Sequence, residues 1–344
     1  MKSFTAKNAD RMSLEKILPL AMPLGLCIEP TNYCNFHCIQ CPLSLPQFSE
    51  EVGGRLHLSF SLYEKIVADV KQMGRLNHLN LYGDGEPLLN KRICDMVDLA
   101  RRKDIAQYIT VTTNASLLTE ETCQKLIDAN LDYLRISVYS TCKKEFCRIT
   151  GVKQFSPAKI RSNVALMYQM KMRSRQKKPF IYAKVIDTYS KENEQFVESY
   201  KDITDETNIE SPMNWNGYDG LDLISHIDKE KKTNEHTTQG YHKQKVIQDK
   251  IICTTPFLSL NIKANGDVTV CIVDWNKGTK VGNITKESLG DVWRGEKLRE
   301  FRKMHIDGRR SENVSCKNCK FLNCSPDNID GLTQDFYDKI ISGP

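Results

Sequence analysis

Cys34, Cys38 and Cys41 place three thiols within eight residues, in the run CNFHCIQC. Thiols this close serve a redox pair or a metal centre, and their number decides between the two. A disulfide uses two sulfurs, and a structural zinc site wants four ligands. A [4Fe–4S] cube has four irons, each normally held by one thiolate, so three local thiolates leave one iron open to a small molecule. Zinc would need a ligand from far along the chain or from His37. A histidine adjacent to one ligand reads better as a loop residue.

A second set, Cys253, Cys271, Cys316, Cys319 and Cys324, lies near the other end of the chain. Cys253-x17-Cys271 and Cys316-x2-Cys319 supply four thiolates from two separated pairs. A zinc ribbon normally has C-x2-C on both sides, so the wide first pair fits it badly. Cysteines 27, 94, 123, 142 and 147 lie in strand-like or helix-like stretches and read as packing residues.

The chain has 344 residues and thirteen cysteines, with 40% hydrophobic and 27% charged residues, the balance of a globular protein with a sizeable core. MKSFTAKNADRMSLEKILPLAMP holds no long apolar run, so no secretory signal fits there, and no later stretch approaches a membrane span. The expected location is the cytoplasm, where thiols stay reduced and clustered cysteines favour metal ligation over a disulfide framework. A net charge of +6 does not by itself indicate a nucleic-acid partner. The basic run Lys171–Lys178 ends a predicted helix, where the dipole favours cations, and reads as solvated.

The elements that must position these residues alternate. LGLCIEP, LNHLNLYG, YITVTTNA, YLRISVYS, FIYAKVID and SPMNWNG are candidate strands, separated by amphipathic segments. Ser61-Leu-Tyr-Glu64 reads as a capping box, Ser156-Pro157 as an N-cap with proline at the first helical position, and Thr119 as a third helix start. Six β-α repeats imply a parallel sheet, open or curled into a partial barrel. The three-cysteine loop then follows the first strand, at the end where such folds carry their chemistry. Residues 218–252 are polar and aperiodic and read as a connector or lid. LSLNIKANGDVTVCIV reads as a hairpin turning at Asn265-Gly266. The expected organisation is an N-terminal helical extension (1–23), a barrel (24–217), the connector (218–252), a small cysteine-bearing unit (253–330) and a helical tail (331–344).

The C-x3-C-x2-C loop after a first strand resembles the signature of the radical S-adenosylmethionine (SAM) enzymes. Tyr82-Gly-Asp-Gly-Glu-Pro87 is similar to that family's GGEP turn, Thr113-Asn114 ends the third strand, and Ser137 lies in the fourth. The resemblance implies an α/β fold, a partial (β/α)6 barrel, with Cys34, Cys38 and Cys41 holding the SAM-binding [4Fe–4S] cluster. Gly83, Gly85 and Glu86 would then hold the methionine amino group of SAM, and Asn114 and Ser137 its ribose. Singly, the glycines could make a tight turn, Asn114 could cap a helix, and Ser137 could be a small core residue. Gln40 stands where the family often has an aromatic residue against the adenine.

PFLSL, GNITKESLGDVW and CKNC resemble the SPASM and twitch C-termini of the same family. That implies a second, auxiliary [4Fe–4S] cluster on Cys253, Cys271, Cys316 and Cys319, leaving Cys324 as a buried thiol or a hydrogen-atom donor. The pattern looks closer to the single-cluster dehydrogenase type than to full SPASM domains. The expected reaction is a two-electron oxidation of a small hydroxylated substrate: an aminocyclitol, a sugar or a nucleotide-sugar. A 5′-deoxyadenosyl radical would abstract the carbinol hydrogen, and the auxiliary cluster would take the electron. The cluster loop begins too early for a preceding winged-helix peptide-recognition domain, which tilts the expectation toward a small molecule. Expected partners are that substrate and a flavodoxin- or ferredoxin-type electron donor, with no nucleic acid and no membrane. Lys184 is a candidate contact for the SAM carboxylate or a substrate anion, and Asn214, Trp215 and Asn216 for a polyol; scaffold packing is at least as good a reading of each. An epimerase using Cys324, a peptide or protein maturase, and a non-enzymatic iron–sulfur or zinc protein stay open as alternatives.

Overall fold

The computed structural model describes residues 12–210, 249–319 and 321–343, with the Cys324 side chain excepted. Asn214, Trp215 and Asn216 lie outside the described residues, as does most of the 218–252 connector. Six parallel strands follow one another across a sheet: β1 (Gly25–Ile28), β2 (Leu76–Leu81), β3 (Ala106–Thr113), β4 (Tyr133–Ser137), β5 (Phe180–Ile186) and β6 (Glu206–Glu210). The C-terminal unit continues this sheet. Its β7 (Ser259–Ile262) pairs in parallel with β1, and β8 (Asp267–Thr269) and β9 (Lys280–Asn283) extend it antiparallel. The order is β6-β5-β4-β3-β2-β1-β7-β8-β9, and the three-cysteine loop leaves β1 in its interior.

Alternation along the strands gives the sheet two unlike faces. Leu26, Ile28, Leu79, Leu81, Ile109, Val111, Leu134, Ile136, Ile181, Ala183, Leu260 and Ile262 are buried in one core with the helices. Residues of the other parity are mostly polar or aromatic: Cys27, Asn80, Thr110, Arg135, Lys184, Asn208, Asn261 and Lys263. Toward the strands' N-terminal ends an aromatic row fills that second face. His78 stacks on Tyr108 at 5.6 Å, Tyr108 meets Tyr133 edge-on at 5.7 Å, and Tyr133 packs against Phe180. Polar chemistry is therefore left to the C-terminal ends.

The helices begin where short polar side chains satisfy free backbone N–H groups. Ser156 and Thr119 accept from Lys159 N and Thr122 N, as expected. The first long helix, Phe60–Met73, departs from expectation: its cap is Ser59, accepting from Leu62 N, and Ser61 lies inside it. Phe60 is a sound first-turn residue, so the earlier serine takes the role. The sixth strand is Glu206–Glu210, ahead of the SPMNWNG segment expected to form it. Among the described residues this strand pairs only with β5, and only Asn208 in it is buried, which suits the polar run ETNIE. The basic run is not wholly solvated either. Lys171 is 2% exposed and paired with Asp205, and Lys178 binds Asp132 at 2.9 Å. Cys142 is exposed at the start of helix Lys143–Thr150, contrary to its reading as a packing residue.

The amino-terminal segment packs on the C-terminal unit. Leu14 and Leu18 share an apolar cluster with Ile252, Phe257, Ile329 and Ile340, and the Trp293 indole N–H donates to the Leu20 carbonyl at 2.9 Å. Among the described residues no helix is long and apolar enough to cross a membrane.

Candidate functional site

The three-cysteine loop is held by its backbone and by one aromatic residue. His37 N and Ile39 N donate to Thr150 O and Ile149 O at 2.8 and 2.9 Å. Between the first two cysteines, Phe36 inserts among Tyr139, Phe146 and Phe155, with centroids 5.5 to 5.8 Å away. His37 is exposed while Cys38 is buried, so the histidine faces away from the thiols. Burial pushes the Cys34 thiol up to about 11 and the Cys38 thiol to about 12, and raises Cys41 well above its usual value. Cys34 adds to the shift at Cys38, and both add to that at Cys41. The Tyr139 side chain hydrogen-bonds Cys38 and opposes the shift there. Three thiols within each other's field, one buried and two half-buried, resist ionising together unless a cationic centre compensates them, as an iron cluster does.

The turn after β2 is pressed onto this loop. A Cβ at Gly85 would stand 2.3 Å from Thr31 O and 2.4 Å from Tyr33 O, and one at Gly83 would stand 2.6 Å from the Glu29 side chain. Glu86 N donates to Tyr33 O at 2.8 Å. The Glu86 carboxylate accepts from Thr113 Oγ1 (2.6 Å), Leu88 N (3.1 Å) and Asn114 N (2.8 Å). A carboxylate has about four acceptor positions, so one remains. Burial raises Glu86 to about 7, against the lowering effect of those donors. A cation at the free position would favour its ionised form. Asn114 Nδ2 donates to Asn35 Oδ1 at 3.0 Å, while its Oδ1 accepts from Ser116 N at 2.9 Å. Gly83, Gly85, Glu86 and Asn114 are thus brought together with the cysteine loop.

Ser137 pairs in register with Lys184 one strand further along. Lys184 Nζ binds Glu210 Oε2 at 2.7 Å, and Arg135 Nη2 binds Glu210 Oε1 at 2.7 Å. Burial pushes Glu210 up, but Arg135 and Lys184 outweigh it and hold the carboxylate down to about 2. Lys184 is itself lowered, by burial and by Arg135, against the pull of Glu210. Two cations share one carboxylate here. The sequence had shown Lys184 without either partner.

The C-terminal cysteines converge. Cys253, Cys271, Cys316 and Cys319 line one cavity, with Phe301, His305, Arg310 and Leu322 among its other walls. Asp274 ties the segment after Cys271 to the segment bearing Cys316: it accepts from Thr279 N at 2.7 Å and from Ser315 Oγ at 2.7 Å. Arg310 Nη1 donates to the Cys316 and Cys319 carbonyls at 2.5 and 3.4 Å. Burial raises Cys253, Cys271 and Cys316, the last to about 12. Among the described residues no three His, Cys, Asp or Glu side chains gather closely enough for a single metal ion. In a [4Fe–4S] cluster each thiolate binds a different iron, so the donors need not meet at one ion. The chemistry of both donor sets, three thiols and four, fits [4Fe–4S] clusters.

Two joints link the regions. Lys263, at the end of β7, binds Asp84 Oδ2 at 2.7 Å and lies 3.7 Å from Glu29. Trp275 stacks on Phe48 at 5.6 Å in an apolar cluster against which Cys34 and Cys41 pack, while its neighbours Asp274 and Asn276 line the four-cysteine cavity. Tyr139, Asn35, Lys263, Trp275, His305 and Arg310 were not singled out by sequence. Asn35 and Lys263 stand inside runs already quoted, but their partners Asn114 and Asp84 lie far along the chain, and nothing in the sequence pairs Arg310 with the carbonyls of Cys316 and Cys319.

Residues 28–198 match the Radical SAM superfamily and residues 253–320 the iron-sulfur cluster-binding domain SPASM. Over 91% of its length the chain is 21% identical to the S-adenosyl-L-methionine-dependent 2-deoxy-scyllo-inosamine dehydrogenase of Niallia circulans, of which it covers 96%. It is 30% identical to the PqqA peptide cyclase of Rhizobium meliloti over 41% of the chain, spanning only 35% of that protein. The fold is similar to the crystal structure of BtrN in complex with AdoMet and 2-DOIA. There the TM-score is 0.53 at 18% identity, covering 87% of this chain and 93% of that one. The chain is a radical SAM enzyme with a C-terminal SPASM domain, and its cofactors are SAM, a SAM-binding [4Fe–4S] cluster and an auxiliary [4Fe–4S] cluster.

Proposed function

We propose that the protein oxidises a secondary alcohol of a small hydroxylated substrate, an aminocyclitol or a sugar, to the ketone. The observation that carries this reading is the single cavity lined by four cysteines. Four thiolates complete the ligand count of one cube, leaving no open iron for a second SAM and suiting the cluster to electron transfer. The near full-length similarity to an aminocyclitol dehydrogenase supports the same reading. Bound, the cofactors supply a 5′-deoxyadenosyl radical that removes the carbinol hydrogen and an acceptor for the electron left behind. In balance, the alcohol and the SAM cation give the ketone, 5′-deoxyadenosine, methionine and one proton.

In this reading Cys34, Cys38 and Cys41 hold the SAM cluster, and Cys253, Cys271, Cys316 and Cys319 the auxiliary one. Glu86 keeps one acceptor position for the SAM ammonium. Gly85 keeps the turn close enough to the cysteine loop for that contact. Asn114 and Ser137 stand toward the ribose. The Arg135–Glu210–Lys184 group presents fixed donors to substrate hydroxyls from β4, β5 and β6. A flavodoxin- or ferredoxin-type protein supplies the priming electron.

Turnover of aminocyclitols deuterated at the carbinol carbon is the test. The expected result is ketone and 5′-deoxyadenosine in equal amounts, with the deuterium in 5′-deoxyadenosine and Cys324→Ala still active. Solvent deuterium in a redox-neutral product, together with loss of turnover in Cys324→Ala, would make the enzyme an epimerase instead.

A further inference from the structure

His305 lies on helix Glu296–Ile306 and is 1% exposed. Among the described residues neither of its ring nitrogens has a hydrogen-bond partner. Buried polar groups are nearly always satisfied, so such a ring calls for a partner that the described residues do not supply. The ring lines the same cavity as Cys253, Cys271, Cys316 and Cys319, with Phe301 tilted against it at a centroid distance of 5.0 Å. The charged groups of that cavity are committed elsewhere. Asp274 accepts from Gly278 N, Thr279 and Ser315, and Arg310 donates to the carbonyls of Cys316 and Cys319.

We propose that His305 donates an N–H hydrogen bond to a sulfur of the auxiliary cluster, a cysteine thiolate or a cluster sulfide, and thereby raises that cluster's reduction potential. The inference rests on the reading that the four cysteines of this cavity hold the cluster. A donor aimed at sulfur favours the more negatively charged, reduced state, and hydrogen bonding to the sulfurs is one of the levers that set such potentials. His305 is a positioning and tuning group here, not a ligand, because four thiolates already match four irons. A higher potential makes the cluster a better acceptor for an electron leaving the substrate.

Potentiometric titration of the reconstituted full-length enzyme, followed by electron paramagnetic resonance with SAM added to separate the two clusters, tests this. His305→Leu should lower the reduced-to-oxidised ratio of the auxiliary cluster about tenfold at a fixed potential. That is a downward shift of about 59 mV for a one-electron couple. His305→Phe, which fills the ring's space, should do the same. His305→Gln, which keeps an N–H donor, should recover most of the loss, and the SAM cluster's midpoint should not move. An unchanged midpoint at full iron content overturns the proposal, as does loss of about four irons per chain in all three variants, which would mark a ligand or a structural residue. Absence of an auxiliary signal in the unsubstituted enzyme would instead remove the cluster assignment, and this inference with it.

Discussion

The loop after β1 and the cavity of the C-terminal unit both gather cysteines, but they are built in opposite ways. The loop is local: three thiols come from eight residues, anchored by backbone hydrogen bonds and by Phe36 among three rings. The cavity is assembled at a distance, from Cys253 ahead of β7, Cys271 after β8, and a Cys316–Cys319 turn held by Asn313, Ser315 and Arg310. Three thiols leave an iron free for SAM, whereas four leave none. In the proposed reading the local site would carry the reactive position and the distant one a closed cluster that accepts the electron.

The largest effect should come from removing ligands on either side. Replacing Cys34, Cys38 and Cys41 together with alanine should abolish 5′-deoxyadenosine formation. Replacing Cys316 and Cys319 should instead allow 5′-deoxyadenosine to form, at most about once per chain, without ketone. Chromatographic quantification of both products separates the two, and ketone from the Cys316/Cys319 variant would show that the cavity is not needed for oxidation.

A smaller contrast lies in how tightly each region is packed. At Gly85 the obstruction to a Cβ is backbone, the carbonyls of Thr31 and Tyr33, which the loop cannot move without shifting the cysteines. At Gly278 it is mainly the Ser315 hydroxyl, 2.2 Å away, which can rotate. Gly85→Ala should therefore cost about 1–3 kcal/mol in thermal or denaturant unfolding and impair SAM binding. Gly278→Ala should cost less, about 1 kcal/mol, because the side chains in its way can turn aside. Equal costs would mean that the loop is more compliant than its packing implies.

The smallest effect concerns protons. Glu86 titrates near 7 because burial disfavours its charge. Its ionised form is the one that attracts the SAM ammonium, so affinity should fall as pH falls. Between pH 7.5 and 6 the ionised fraction drops about eightfold for a group of that pKa, and the SAM dissociation constant should rise by about the same factor. Glu86→Gln should bind SAM more weakly with no such slope. An unchanged slope in that variant would assign the titration elsewhere.

The same contrast governs what could be read from sequence. Strands β1 to β5 and the β7–β8 hairpin were legible because apolar residues face the helices at every second position. The three-cysteine loop and the glycine turn were legible because their chemistry is contiguous. β6 was not, since Glu206–Glu210 has one strand partner among the described residues and little to bury. Burial of Lys171 depends on Asp205, and the neighbours of Lys184 on Arg135 and Glu210, all brought close only by folding. The four cavity cysteines could be named from their spacing. His305 and Arg310, which complete the wall around them, could not.

The account stands most directly on metal content. Iron and zinc counted per chain in the anaerobically reconstituted protein should give about eight irons and no stoichiometric zinc, four irons for each of two cubes. About four irons with one zinc per chain would place zinc on the C-terminal cysteines, and would contradict an auxiliary cluster as the electron acceptor.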